Sequence, residues 1–145
     1  MERIICLAIG YLFGMFQTSY IIGKIHHMDI RQYGSGNAGT TNALRTLGKK
    51  AGAMTLIGDM LKCVIAILIV DAVFKNRYQE ILPLLGMYTA AGCVLGHNFP
   101  FYLGFRGGKG IAASAGMLLA MDWRVFLICA VIFIGLVAIT RYVSL

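Results

Sequence analysis

The stretch Gly34-Ser35-Gly36-Asn37-Ala38-Gly39-Thr40-Thr41-Asn42-Ala43-Leu44-Arg45 gathers three glycines, two threonines, a serine and two asparagines, and it closes on an arginine. Glycine permits positive φ and lets a ligand approach the bare backbone. Alternating right- and left-handed residues aim successive N–H groups at one point, where an anion fits. Arg45 can meet a phosphate with two parallel hydrogen bonds. These residues suit a phosphate site, although their composition fits a polar linker between helices equally well. A second stretch of the same character is His97-Asn98-Phe99-Pro100-Phe101-Tyr102-Leu103-Gly104-Phe105-Arg106-Gly107-Gly108-Lys109-Gly110. Its Gly107-Gly108-Lys109-Gly110 turn runs into an apolar segment, so free N–H groups and a helix dipole would also favour an anion. A tetrahedral phosphate needs donors from several directions, and two loops supply them better than one. The turn is not a nucleotide-binding P-loop, because position 103 is Leu and a glycine follows Lys109. Taken alone it reads as an ordinary basic turn at a membrane surface.

Asp59 and Lys62 are ionisable residues inside an apolar run. Three positions apart, they share one helical face. Such a pair marks a functional position by default, yet a structural salt bridge that holds the loops explains it as well. We assign Asp59 as organiser and Lys62 as electrostatic support. His97 is placed to titrate beside a phosphate; capping the preceding helix or bonding a neighbouring loop is the simpler role. Cys6, Cys63, Cys93 and Cys129 all lie in apolar runs without a C-x-x-C pair or zinc spacing, so no metal is expected.

The elements that carry these residues must sit in lipid. Of 145 residues 59% are hydrophobic and only 13% charged, with a mean hydropathy of +0.76. A small globule cannot hide that much apolar surface. The sequence reads as an all-α polytopic integral membrane protein, a single membrane-embedded domain of about five transmembrane helices with two glycine-rich cytoplasmic loops. The expected spans are 4–23, 51–74, 81–96, 108–121 and 125–140. The first is too long for a signal peptide and is read as retained. Gln17, Thr18 and Ser19 in its second half should face protein rather than lipid. Gly10/Gly14 and Gly92/Gly96 are G-x-x-x-G pairs, a sign of close helix contact.

The net charge of +7 is spread over short loops, with no basic helix and no RNA-reading motif, so nucleic acid is not a partner. Lys24, Arg31, Arg45, Lys49, Lys50, Arg106, Lys109 and Arg141 fall on one side of this topology. Arg3, Lys75, Arg77 and Arg124 fall on the other. The bias puts the N-terminus outside and both glycine-rich loops and the C-terminus in the cytoplasm, with Arg31 and Arg106 as topogenic loop bases. Membrane lipids and phosphorylated compounds are the expected partners.

The residues 34–42 with Arg45 resemble the first motif of the bacterial acyl-phosphate:glycerol-3-phosphate acyltransferases of the PlsY type. The run from His97-Asn98-Phe99-Pro100 to Gly107-Gly108-Lys109-Gly110 is similar to that family's second motif, and Asp59 with Lys62 matches a further element in the same order. The resemblance implies a bacterial plasma-membrane enzyme of phospholipid synthesis that needs no cofactor. It would move an acyl group from acyl phosphate to the 1-position of glycerol 3-phosphate, giving lysophosphatidic acid and phosphate. By the same resemblance Ser35, Gly36, Asn37, Gly39, Thr41 and Asn42 cradle the acyl phosphate. Arg45 and Lys109 hold the glycerol-phosphate anion, Lys62, Gly107 and Gly108 are counted with the substrate-binding residues, and Ser35, Asp59 and His97 are the catalytic candidates, His97 at most as a proton handler. The family shows Gly and Pro where Cys63 and Ala66 stand here, which implies a small packing change. Family members continue past Arg141-Tyr142-Val143-Ser144 with a third motif, so the resemblance implies a C-terminally shortened chain, with Ser144 carried as a substrate-binding residue. A non-enzymatic membrane protein that binds or passes a phosphorylated solute or anionic lipid, or an inactive truncated copy, would use the same basic loops.

Overall fold

The expected first span is two helices rather than one: α1 (Glu2–Gly14) and α2 (Thr18–Ile25), broken at Met15, Phe16 and Gln17. Gln17 is extended, with φ −103° and ψ 95°. No proline causes the break. Its loose carbonyls are instead taken by side chains from elsewhere: Lys62 Nζ donates to Gly14 O at 3.1 Å and Phe16 O at 2.6 Å, and Tyr102 donates to Met15 O at 2.7 Å. Irregular backbone survives at membrane depth only where protein satisfies it in this way. Gln17 and Ser19 are fully buried, as their polarity within an apolar run required.

The structure is a computed structural model that describes residues 1–141; Ser144 lies outside the described residues. After α2 the chain forms the first polar loop and α3 (Thr40–Leu47), then α4 (Lys49–Phe74), α5 (Leu82–Asn98), α6 (Ile111–Met121) and α7 (Trp123–Thr140). No strand occurs among the described residues. Gly48 joins α3 to α4 at φ 90°, a backbone region that favours glycine. At 26 residues, α4 spans about 39 Å, more than the hydrocarbon core. Pro83 sits in the first turn of α5, where its missing N–H costs nothing. The Asp122 side chain caps α7 by accepting from the Arg124 N–H at 2.8 Å.

α1 and α5 form the closest helix pair through both glycine motifs. A methyl group on Gly10 or Gly14 would strike the α5 backbone at Thr89 or Cys93. One on Gly92 or Gly96 would strike the α1 backbone at Leu7 or Tyr11. In lipid, backbones approach this closely only through such small residues. A second layer of small side chains, Cys63, Ala90, Cys93 and Ala113 with Ile67, packs α4, α5 and α6 together. No residue of α7 is buried, and its Val131, Ile132, Ile134 and Leu136 are all more than half exposed. That outer surface matches hydrocarbon as its solvent.

Candidate active site

The two glycine-rich loops meet at one end of the bundle, opposite the end where Tyr78 donates to Glu2 at 2.8 Å. They are directly joined: the Ala38 N–H donates to Gly107 O at 3.3 Å, and Arg31 donates to Leu103 O at 2.8 Å. Arg31 is therefore a clamp between the loops rather than a free topogenic base. It also grips Asp29 through Nη2 at 2.7 Å and Nε at 3.0 Å and lies over the Tyr20 ring. The guanidinium hydrogen bond holds the Asp29 carboxyl below the usual aspartate range.

Each loop is stiffened from inside. Buried Asn42 donates to the Ile30 and Tyr33 carbonyls, both at 3.0 Å, and accepts from the Ser35 N–H at 3.0 Å. In the second loop the Gly107 N–H donates to Asn98 O and the Gly108 N–H to His97 O. A methyl group on Gly107 would strike His97 O, and one on Gly108 would strike the His97 ring. These two glycines are needed for close approach, not for turn conformation.

Between the loops lies a cavity of about 160 Å³ lined by Asn37, Gly39, Thr40, Thr41, Leu56, Asp59, His97, Lys109, Gly110, Ile111, Ala112 and Phe133. Two helices start at it. Gly39 is the N-cap of α3 and Gly110 the N-cap of α6, and neither start has a side-chain cap. Their first-turn N–H groups and positive dipole ends are left for another acceptor. Thr40 Oγ1 is buried there with no partner. Thr40 and Gly110, which belong to the two donor-rich stretches but were given no individual role, also line the cavity.

The buried charges reach the cavity at Asp59, with Lys62 behind it. Asp59 Oδ1 is 3.0 Å from Lys62 Nζ and accepts from Thr18 Oγ1 at 3.1 Å. Lys62 Nζ lies 2.8 Å from His97 Nδ1. Asp59 Oδ2 has no protein partner. His97 O accepts from Gln17 at 2.7 Å as well as from Gly108, so the α1–α2 break, α4, α5 and the second loop converge on one histidine.

Asn37, Gly39, Thr41, Asp59, His97 and Lys109 of the expected site residues line the cavity. Gly107 and Gly108 are not part of the lining but pack against His97, which is. Lys62 sits behind it. Ser35, Gly36 and Arg45 are exposed and outside it, and Asn42 is turned into the loop it braces. Gly36 instead lines a separate open cleft of about 670 Å³ with Asp29, Arg31, Gly104 and Arg106.

The glycerol-3-phosphate acyltransferase family matches residues 4–145. The glycerol-3-phosphate acyltransferase of Clostridioides difficile (strain 630) is 55% identical over 144 residues, which cover 98% of this chain and 70% of that one. That of Lactiplantibacillus plantarum is 46% identical over 147 residues, covering 99% and 67%. The crystal structure of PlsY, an integral membrane glycerol 3-phosphate acyltransferase, in its glycerol 3-phosphate form superposes with a TM-score of 0.83 at 34% identity, covering 99% of this chain and 69% of that one. Its lysophosphatidic acid form gives 0.81, also at 34% identity, with 99% and 68% covered. A family match over almost the whole chain, high identity and a shared fold agree with the motifs read above: the chain belongs to the glycerol-3-phosphate acyltransferase family of integral membrane enzymes.

Proposed function

We propose that the chain transfers a fatty acyl group from acyl phosphate to the 1-hydroxyl of glycerol 3-phosphate at the cytoplasmic face of a bacterial plasma membrane. One observation carries this reading: two uncapped helix starts and Lys109 border one small cavity, an arrangement that suits a phosphate. The cavity opens into an apolar groove of about 620 Å³ between α4, α6 and α7. Groove and cavity share Leu56, Lys109, Ile111, Ala112 and Phe133. A phosphate with a hydrocarbon tail matches that pairing, and free glycerol phosphate alone does not need the groove.

In this reading the donor phosphate lies against the α3 and α6 starts, Asn37, Thr40 and Thr41, with its chain along the groove. Ser35, Gly36 and Arg45 stand on the solvent side, where with Lys109 they meet the glycerol phosphate. Asn42 contributes by holding the first loop. The acceptor hydroxyl attacks the acyl carbon, the carbon–oxygen bond to phosphate breaks, and the hydroxyl proton leaves on the released phosphate. Phosphate is already a good leaving group, so position and electrostatics are the protein's main task. Charge bias puts the loops inside and the N-terminus outside.

The test is lysophosphatidic acid formation by membranes that hold the chain, supplied with acyl phosphate or with acyl coenzyme A. Product from acyl phosphate alone is expected, and Lys109→Ala should lower it about 10- to 100-fold through loss of a charge-assisted contact. Transfer from the coenzyme A ester, or unchanged activity in both Ser35→Ala and Lys109→Ala, would contradict the reading.

A further inference from the structure

We propose that His97 is a fixed hydrogen-bond donor to a phosphoryl oxygen of the bound substrate, set in that state by Lys62, and that it is not a base. The inference rests on the phosphate reading of the cavity and assigns a group within it.

Lys62 Nζ has three oxygen neighbours that can only accept, Gly14 O, Phe16 O and Asp59 Oδ1, all within 3.1 Å, and His97 Nδ1 lies 2.8 Å from it. An ammonium group donates and cannot accept. His97 Nδ1, 2.8 Å from Nζ, must therefore present its lone pair. A proton on Nδ1 would set two donors against each other. Asp59 Oδ1 is 3.8 Å from Nδ1, too far to accept a hydrogen bond from it. With Nδ1 engaged, the neutral ring carries its proton on Nε2, since the partner of one ring nitrogen fixes the state of the other. Nε2 lies on the opposite edge of the ring, over Gly108, and the ring lines the cavity. The charged groups facing His97 are Asp59 and Lys62 from α4 and Lys109 from the turn before α6; the first loop brings only Asn37, Thr40 and Thr41. Burial and then the Lys62 charge favour an uncharged ring, against the opposing pull of Asp59. In this frame Lys62 is a positioning residue, and its role is to hold the tautomer.

Two measurements decide the matter. The first is nitrogen NMR of the full chain labelled in histidine, in nanodiscs, with His97 assigned by comparison with His97→Gln. We expect a neutral ring with Nε2–H that keeps its state between about pH 5 and 8, and an Nε2–H resonance that moves on addition of glycerol 3-phosphate or inorganic phosphate. The second is steady-state acyl transfer. His97→Gln, whose amide can place a donor near Nε2, should retain most of kcat/KM, whereas His97→Ala should lose about 10- to 100-fold. An Nδ1–H tautomer, an imidazolium at neutral pH, an Nε2–H that ignores both anions, or a Gln variant as poor as Ala in a folded protein would overturn the proposal. If the unmutated chain shows no transfer while Nε2–H still responds to phosphate, the acyltransferase reading fails and the donor assignment stands.

Discussion

Replacing Lys62 by methionine tests whether the buried charges hold the broken first span. Methionine has a similar length and lies easily in apolar surroundings, so packing changes little. The ammonium, however, has three oxygen acceptors between 2.6 and 3.1 Å, with His97 Nδ1 at 2.8 Å. Without it the carbonyls of Gly14 and Phe16 lose their donor, and Asp59, only 1% exposed, loses its counter-ion. Removing one partner of a buried pair costs about 3–5 kcal/mol. The double variant Asp59→Asn, Lys62→Met keeps the orphaned carbonyls but removes the unpaired charge, and it should recover about 1–3 kcal/mol of that loss. Thermal unfolding in detergent can be followed by the exposure of buried Cys6, Cys63 and Cys93 to a thiol-reactive dye, after Cys129→Ser silences the exposed thiol. A Lys62→Met chain within about 0.5 kcal/mol of the parent, or a double variant weaker than the single one, would refute the reasoning.

Gly92→Val should cost at least about 1–3 kcal/mol, because its side chain strikes the α1 backbone at Leu7 and Tyr11; detergent melts that match the parent would exclude a tight α1–α5 contact. Ala112→Leu narrows the passage shared by the cavity and groove and should reduce transfer from long-chain donors more than from short ones. Each methylene kept out of the groove is worth about fourfold in kcat/KM, and a chain-length profile checks it. Asp29 has a lowered folded-state value through Arg31, so its pair stabilises the loops fully above the ordinary aspartate value of about 4 and loses that effect as pH falls through the lowered one. The melting difference between the parent and Asp29→Asn should therefore vanish at acid pH and persist at neutral pH.

The helical, membrane-embedded class was legible in composition, because apolar content and charge bound the solvent of a chain without reference to its fold. The glycine pairs at positions 10, 14, 92 and 96 were legible as contacts in each helix alone, though nothing in either helix said that they were partners of each other. The convergence of Asn37, Gly39, Thr41, His97 and Lys109 on one cavity followed from donor-rich loops at one membrane face. The break after Gly14 was hidden. Met15, Phe16 and Gln17 contain no proline or glycine, and local propensity favours a continuous helix there. Tertiary hydrogen bonds from Lys62 and Tyr102 override it, and no local pattern records a donor that arrives from 46 residues away. Asn42 was misleading for a related reason: its amide has the chemistry of a phosphate ligand, but three backbone groups within its own loop use it first.

The cost of burying Asp59 and Lys62 makes sense once the broken span is considered with them. A continuous first helix would have kept the Gly14 and Phe16 carbonyls within its own ladder, and Lys62 would have had only Asp59 and His97 to satisfy it. The break releases two carbonyls, and the α1–α5 glycine contact brings that strand of backbone close enough for one ammonium to reach both. The same ammonium then holds His97, whose own carbonyl anchors Gly108 and Gln17. Backbone spacing set by four glycines is thereby transmitted to the wall of the cavity through a single lysine. It follows that substitutions at Gly10 or Gly14, both far in sequence from the cavity lining, should disturb the orientation of His97 before they unfold the helices.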